Sequence, residues 1–135
     1  MKMVDLPIMP TGGAQCLPNR MHEGDAGLDL RSTVSVTLQP FERQTIPCGI
    51  SLAIPEGFGG FVLPRSGLAS RHGISVVNAP GLIDSGYRGE VKVVLHNTDR
   101  DEAFRIEPGD RIAQLMIVSL PHADLVEVES LDYTE

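Results

Sequence analysis

The sequence lacks tryptophan, and phenylalanine and tyrosine bring the aromatic share to only 4% of its 135 residues. It is also poor in cysteine, since Cys16 and Cys48 stand apart and form no CxxC pair. The two thiols therefore predict neither a zinc site nor a disulfide framework, and we expect both to be buried or inert. The histidines are scattered, and no second histidine follows His22 at the spacing of two ligands on one helix face, so no histidine-bound metal is predicted.

Basic side chains are few, because 11 lysines and arginines stand against 18 aspartates and glutamates, which gives a net charge of −7. A general nucleic-acid binder or anionic-membrane binder needs a basic surface, so neither class is expected. A polyanionic ligand would have to be held locally. Residues 1–10 have no long apolar core and no positively charged start, which predicts neither a signal peptide nor a transmembrane segment. We expect a cytoplasmic protein.

Glycine and proline are abundant, at 14 and 10 residues, and together with the few aromatics they argue against a helix bundle. The length has room for one core, so residues 1–135 are predicted to form a single domain.

Apolar residues recur with the two-residue period of half-buried strands, and shorter apolar runs are separated by turns with Gly, Pro or Asp. The alternating stretches are 34–38, 50–54 and 91–95, and the shorter runs are 61–63, 75–77, 103–106, 112–118 and 125–128. Many short strands in a small domain predict an all-β sandwich or barrel. One helical turn or two is expected over 66–71, where Ser66 can cap the start and Gly73 can end it.

The stretch PRSGLA at 64–69 follows an apolar strand and opens this helical turn. Arg65 offers a guanidinium and Ser66 a hydroxyl beside backbone N–H groups, a donor set that suits phosphate oxygens. An ordinary capped turn with a surface arginine is the alternative, and these residues alone favour it.

The stretch NAPGLIDSGYRGE at 78–90 places glycines around Asp84 and Tyr87 between two strands, which predicts a hairpin. Glycine lets backbone approach a ligand closely, and strand N–H and C=O groups with the amide of Asn78 can read a planar base. Asp84 can then orient and deprotonate a water molecule. A plain β-hairpin whose aspartate makes a turn hydrogen bond is equally compatible with the spacing.

Two further polar positions stand out. The stretch DAGLDL at 25–30 reads as an acidic turn before a strand, able to hold hydrated Mg²⁺, with Asx-type turn bonding as the alternative. Gln114 interrupts an apolar run, and a buried amide needs partners to offset a cost of about 1–3 kcal/mol. Backbone and ligand are equally compatible as that partner.

In this order, the blocks AGLDL, PRSGLASRHGI, NAPGLIDSGYRGE and GDRIAQL resemble the trimeric dUTP diphosphatases, the dUTPase family. The likeness spans roughly residues 26–117 and includes four of the family's five motifs. It implies a distorted jelly-roll or β-clip subunit with one very short helix, forming a homotrimer whose active sites are shared between subunits. It also implies Mg²⁺-assisted hydrolysis of dUTP to dUMP and pyrophosphate by attack of water on the α-phosphorus. That reaction limits uracil incorporation into DNA and supplies dUMP for thymidylate synthesis.

The resemblance also implies a role for each matching position. Asp84 would activate the attacking water, Tyr87 would pack under the deoxyribose, and Lys92 would contact the substrate. Asp29 would reach the hydrated Mg²⁺ through water, unless it only supports its turn, and Gln114 would help to hold the phosphates from a different subunit. The residues matching the phosphate-binding turn are Arg65, Ser66 and Gly67, and those matching the uracil-reading groups are Asn78, Gly81, Leu82 and Ile83.

One departure from the family concerns its fifth motif, a flexible glycine-rich segment that closes over the nucleotide with an arginine and an aromatic residue. It would begin near 131–135, where this sequence stops, and residues 128–135 are expected to start a truncated or mobile tail. The alternative function is therefore a tail-less, weakly or non-catalytic dUTP-binding trimer that controls a protein partner. A deoxycytidine nucleotide deaminase of the same fold and a purely structural jelly roll are weaker alternatives.

Overall fold

The computed structural model describes residues 3–135, in which the predicted all-β fold is realised with one very short helix. The strands are β1 (Ile8–Pro10), β2 (Leu28–Arg31), β3 (Val36–Leu38), β4 (Arg43–Leu52), β5 (Phe58–Leu63), β6 (Ile74–Val76), β7 (Gly81–Ile83), β8 (Glu90–Asn97), β9 (Phe104–Ile106) and β10 (Arg111–Ser119). The helix is α1 (Ser66–His72), and a 3-10 turn covers Ala14–Cys16. Neither helical segment in the described range has the length and apolar character needed to cross a membrane.

The strands form two four-stranded antiparallel sheets and a separate pair. One sheet has the order β1-β4-β8-β6, the other has the order β2-β10-β5-β7, and β3 pairs with β9. From β4 to β8 the chain changes sheet at every strand, which winds it around a common interior as in a jelly roll. The strand β7 lies at the edge of its sheet, and β10 lies between β2 and β5.

A single core receives buried residues from all three sheets. The strand β8 shows the expected alternation, because Val91, Val93 and Leu95 are buried while Lys92 between them is exposed. Both thiols belong to this core: Cys16 and Cys48 are buried and free, as predicted.

Asn97 is a fully buried polar residue at the end of β8. Its amide nitrogen donates to the carbonyls of Leu38 and Glu102 at 3.0 and 2.9 Å, and its Oδ1 accepts from the backbone N–H of Asp99 at 2.9 Å. One side chain therefore ties β3, β8 and the loop that follows β8 together.

Several strand boundaries differ from the sequence prediction. The strand β4 covers Arg43–Leu52 rather than 50–54, because β8 supplies a ladder partner for its polar first half. The strand β6 is Ile74–Val76 rather than 75–77, and Val77 is 53% exposed. The strand predicted at 125–128 is wrong: residues 121–135 are all exposed and form no strand, since alternation alone supplies no pairing partner.

The prediction for the helix ends is half right. Gly73 ends α1 in the left-handed conformation, at φ 68°, which glycine adopts without strain. Ser66 does not cap the start, however, because the capping position belongs to Arg65, and no side chain there bonds a helix N–H.

Candidate active site

An open pocket of about 310 Å³ lies where β2, β10 and the turn after β5 meet. It contains five of the residues singled out from the sequence, together with neighbours from the loop before β2 and from β10. The residues that line it are Met21, Asp25, Ala26, Gly27, Asp29, Arg65, Ser66, Gly67, Arg111 and Gln114.

The central position of β10 explains why these distant residues meet. Gln114 on β10 is opposite Asp29 on β2 and opposite Leu63 on β5. Since β5 ends at Leu63, Arg65 follows two residues later and lies beside Asp29 and Gln114. Asp29 therefore lies within a strand, and the alternative that it only supports an acidic turn is wrong. The turn bond belongs to Asp25, whose carboxylate accepts from the N–H of His22.

Asp29 is held between two guanidinium groups. Its Oδ1 lies 3.7 Å from Nε of Arg65, and its Oδ2 lies 3.6 Å from Nη1 of Arg111. Arg65 is fixed further by a 3.2 Å hydrogen bond from Nη1 to the carbonyl of Arg111. The Asp29 side chain is 14% exposed, so the carboxylate organises two arginines at the wall of the pocket.

Positive charge exceeds what Asp29 neutralises. Burial lowers the pKa of the Arg65 guanidinium, and the charges of Arg111, Arg71 and Arg31 lower it further, while Asp29 opposes them. Arginine stays protonated despite such shifts, so the crowded cations attract an anion instead of losing a proton. This corner is therefore a local cluster of positive charge in an acidic protein.

Gln114 has a backbone partner, which answers the question its sequence position left open. Its Nε2 donates to the carbonyl of Pro64 at 2.9 Å, which joins β10 to the turn after β5. Gly27 packs directly against this side chain, because a Cβ on Gly27 would collide with Oε1 of Gln114. The amide is thereby fixed at the pocket, beside Arg65, Ser66 and Gly67 of its own chain.

Arg111 and Gly27 are pocket residues that the sequence reasoning did not single out. A regular strand would place Arg111 and Gln114 on opposite faces, since side chains alternate. A bulge between Arg111 and Ala113 makes Ile112 and Ala113 both buried, so Arg111 and Gln114 face the pocket together. The available signal was that Arg111 belongs to the block GDRIAQL and Gly27 to the block AGLDL.

The segment 78–90 is not a hairpin. Its strand β7 pairs with β5, in the register Gly81 with Val62 and Ile83 with Gly60, whereas β8 pairs with β4 and β6 in the other sheet. The predicted hairpin is therefore wrong, because the two strands belong to different sheets. The segment instead crosses from one sheet to the other and exposes the outer edge of β7.

The structure nevertheless keeps the predicted base-reading groups together. The Asn78 amide lies beside Gly81, where a Cβ would be 3.2 Å from Nδ2. Leu82 is 71% exposed, and Ile83 leads directly into Asp84, which is also exposed. A turn follows in which the Tyr87 N–H donates to the Asp84 carbonyl at 3.1 Å.

Lys92 and the 78–87 segment stay apart from the arginine pocket. Lys92 is exposed on β8, opposite Pro47, in the other four-stranded sheet. Among the described residues of one chain, none from 78–92 lines the arginine pocket. The predicted site residues thus form two groups and one separate lysine in a single protomer.

A second open depression, of about 530 Å³, is lined in part by Ser85 and Gly86 of the turn after β7. It carries the carboxylates of Asp5 and Glu56 with one guanidinium, from Arg88. This charge balance does not favour a polyanion, so the arginine pocket remains the candidate phosphate site despite its smaller volume.

Metal ligands are sparse in this fold. Within residues 3–135 there is no group of three or more His, Cys, Asp or Glu side chains arranged to hold a metal ion. Both oxygens of Asp29 face arginines. Mg²⁺ keeps several waters and takes one or two carboxylates plus substrate phosphates, so this donor set fits a phosphate-held hydrated ion and not a protein cage.

The antiparallel jelly roll and its arginine-lined pocket define an all-β protein with a candidate site for a phosphate-type anion. The family model of dUTPase matches residues 15–135. A deoxyuridine 5'-triphosphate nucleotidohydrolase of Leifsonia xyli subsp. xyli is 52% identical over 128 residues, covering 95% of this chain and 82% of that protein. The namesake of Tropheryma whipplei (strain Twist) is 54% identical over 114 residues, covering 84% of this chain and 78% of that protein. The chain belongs to the dUTPase family.

Solved structures agree with this assignment. The dUTPase of Staphylococcus bacteriophage 80alpha with dUPNHPP has a TM-score of 0.88 at 28% identity, covering 98% of this chain and 93% of that chain. A variant dUTPase of phage phi11 of S. aureus, whose structure concerns the coordination of a structural Mg(II) ion, has a TM-score of 0.87 at 26% identity and covers 96% of this chain and 100% of that chain.

Proposed function

We propose that this protein hydrolyses dUTP to dUMP and pyrophosphate. The observation that carries the proposal is the arginine pocket, in a chain whose close relatives are named deoxyuridine 5'-triphosphate nucleotidohydrolases. Phosphoanhydride hydrolysis needs charge stabilisation and in-line placement of water more than covalent chemistry. A site of guanidinium, amide and backbone donors with one separate carboxylate can meet those needs.

The triphosphate is proposed to lie in the arginine pocket. Arg65 and Arg111 would offer charge-assisted hydrogen bonds, and Ser66 would add its exposed hydroxyl. Gly67 lines the same wall without a side chain. Gln114 uses one amide hydrogen on Pro64, which leaves its second amide hydrogen for a phosphate oxygen.

Uracil is proposed to pair with the open edge of β7. An edge strand presents unpaired N–H and C=O groups, and those of Gly81, Leu82 and Ile83 would face the base much as a neighbouring strand would. The Asn78 amide beside Gly81 would complete the set of donors and acceptors. Such a set matches the carbonyls and N–H of uracil, whereas the exocyclic amine of cytosine would meet a donor.

The sugar and the reacting water are assigned to the turn after β7. Tyr87 would pack under the deoxyribose, where a ribose 2′-hydroxyl would collide with its ring. Asp84 would accept a proton from the water that attacks the α-phosphorus, with pyrophosphate as the leaving group. Lys92 is proposed only as a further substrate contact.

Mg²⁺ is proposed to bind mainly to the substrate phosphates and to neutralise part of their charge. Asp29 would reach the hydrated ion through water, and its contact with both arginines of the proposed phosphate pocket supports this role. Its second task would be to keep those arginines oriented in the free enzyme.

A homotrimer with shared active sites is part of the proposal. One protomer separates the arginine pocket from the 78–87 segment, so a neighbouring copy can bring the two groups together. The exposed end of the chain also favours assembly, because Leu125 and Leu131 are 98% and 86% exposed. Burying such apolar side chains against another subunit would stabilise the assembly.

We also propose a cytoplasmic location. The two thiols are free, which suits a reducing compartment, and the proposed substrate belongs to the nucleotide pool for DNA synthesis.

Pyrophosphate release from dUTP with Mg²⁺ tests the proposed reaction. UTP, dTTP and dCTP run in parallel, with ammonia measured for dCTP, and we expect release from dUTP alone. Equal release from all four nucleotides, or ammonia from dCTP, would overturn the substrate assignment.

A further inference from the structure

The ring of Tyr87 lies against the backbone of Gly89. A Cβ placed on Gly89 would lie 2.6 Å from Oη, 2.8 Å from Cζ and 3.2 Å from Cε2 of this ring. These are its three nearest neighbours, so Tyr87 is the group that a side chain at position 89 would meet first.

The backbone does not require glycine at this position. Gly89 is not among the residues with positive φ, so an L-residue can adopt its conformation. The constraint at this position is therefore the space that the tyrosine ring occupies, and a side chain at position 89 would make the ring shift.

The hydroxyl end of the ring is held in place, and part of the residue stays exposed. Its hydroxyl donates to the carbonyl of Glu90 at 2.8 Å, and Gly89 lies against the same hydroxyl end of the ring, at Oη, Cζ and Cε2. The side chain remains 44% exposed, which leaves surface for a ligand. A ring whose hydroxyl is fixed and whose edge contacts Gly89 can keep this position only while residue 89 carries no side chain.

We propose that Gly89 is a positioning residue for sugar discrimination: by lacking a side chain it sets the place of Tyr87, and with it the preference for deoxyribose over ribose. This inference rests on the proposed function, in which Tyr87 packs under the sugar. A methyl group at position 89 drives the ring out of that place, and space opens for a 2′-hydroxyl.

Gly89→Ala tests the proposal, with Gly86→Ala as the matched control. A Cβ on Gly86 meets nothing within 4 Å, so the control adds the same methyl group to the same segment between β7 and β8 without touching Tyr87. We expect Gly89→Ala to lower the ratio of kcat/KM for dUTP to that for UTP by about tenfold or more, a usual effect of changed pocket shape. Gly86→Ala should keep the ratio of the unmodified protein.

A double-mutant cycle with Tyr87→Ala separates positioning from a general loss of structure. Because Tyr87 supplies the three nearest contacts, Gly89→Ala should change neither the sugar preference nor the Tm once the ring is absent. If Gly89→Ala alone fails to fold, the double variant should fold like Tyr87→Ala. A Gly89→Ala effect of equal size in both backgrounds would refute the proposal.

Failure of the proposed function gives a different pattern. If the unmodified protein shows no preference for dUTP over UTP, the role assigned to Tyr87 is wrong. If it shows the preference and Gly89→Ala retains it, only the inference about Gly89 is wrong. The affinities for dUPNHPP and its ribose counterpart give the same comparison without turnover.

Discussion

Replacing Asp84 by asparagine separates binding from proton transfer at the candidate site. Asn keeps the size of Asp but cannot take the proton of the attacking water. In the described residues the Asp84 side chain is exposed and makes no hydrogen bond or ion pair. The turn bond from Tyr87 uses the Asp84 backbone carbonyl, which the substitution leaves in place.

Asp84→Asn should therefore have a small effect on stability and a large effect on turnover. The free energy of unfolding should change by no more than about 0.5 kcal/mol, as for other surface substitutions. Loss of a general base should lower kcat by about 10²- to 10⁴-fold. That range corresponds to roughly 3 to 5 kcal/mol of transition-state stabilisation.

The assay measures pyrophosphate release together with dUPNHPP affinity and urea unfolding on the same preparations. We expect near-normal affinity and stability with turnover almost abolished. Asp101→Asn, which removes one exposed carboxylate in the loop between β8 and β9, is the control and should keep full turnover. Retained turnover in Asp84→Asn would show that another group activates the water, and lost affinity would show that Asp84 binds the substrate.

Three further predictions follow from other contacts. Asn97→Ala removes the three hydrogen bonds of a fully buried side chain and should cost about 2–4 kcal/mol in urea unfolding; a change below about 0.5 kcal/mol would contradict its structural role. Gln114→Glu puts a carboxylate beside the proposed phosphate site and removes the donor to Pro64. Since like charges at ~4 Å cost roughly 1–4 kcal/mol, KM for dUTP should rise about tenfold or more. The control Gln39→Glu, at an exposed position, should leave KM unchanged. Burial, with a smaller effect of Glu90, raises the pKa of the Cys48 thiol from its ordinary 9.0 to about 12. The thiol of the unfolded chain therefore ionises first, so the free energy of unfolding falls as pH rises from about 9 toward 12. In denaturant titrations over this pH range, Cys48→Ala should show a shallower fall of the free energy of unfolding with pH. An identical dependence on pH in both proteins would refute this origin.

The fold was predictable where local pattern and pairing agree. Val91, Val93 and Leu95 alternate and are buried, and Gly73 ends the helix, because both features depend on neighbours in sequence. The segment 125–128 alternates as clearly and forms no strand, because a strand needs a partner that periodicity does not provide.

The candidate site was predictable as a set of residue types but not as an arrangement. The blocks of sequence pointed to Arg65, Ser66, Gly67 and Gln114, which do share a pocket. The sequence did not indicate Arg111, because only the bulge in β10 turns its side chain to the face that lines the pocket. The apparent hairpin at 78–90 was wrong because the sheet to which each strand belongs is decided by contacts far apart in sequence.

The open edge of β7, which we propose as the surface that binds uracil, also brings a hazard. Unpaired N–H and C=O groups accept any extended chain, so an edge able to read a base can also nucleate aggregation. The exposure is kept small here, because β7 has only three residues, Pro80 precedes it and the Asp84 turn follows. A longer β7 would offer more pairing to unwanted strands without adding contacts to one base. Selection on this segment should therefore oppose lengthening it as firmly as it opposes losing its polar groups.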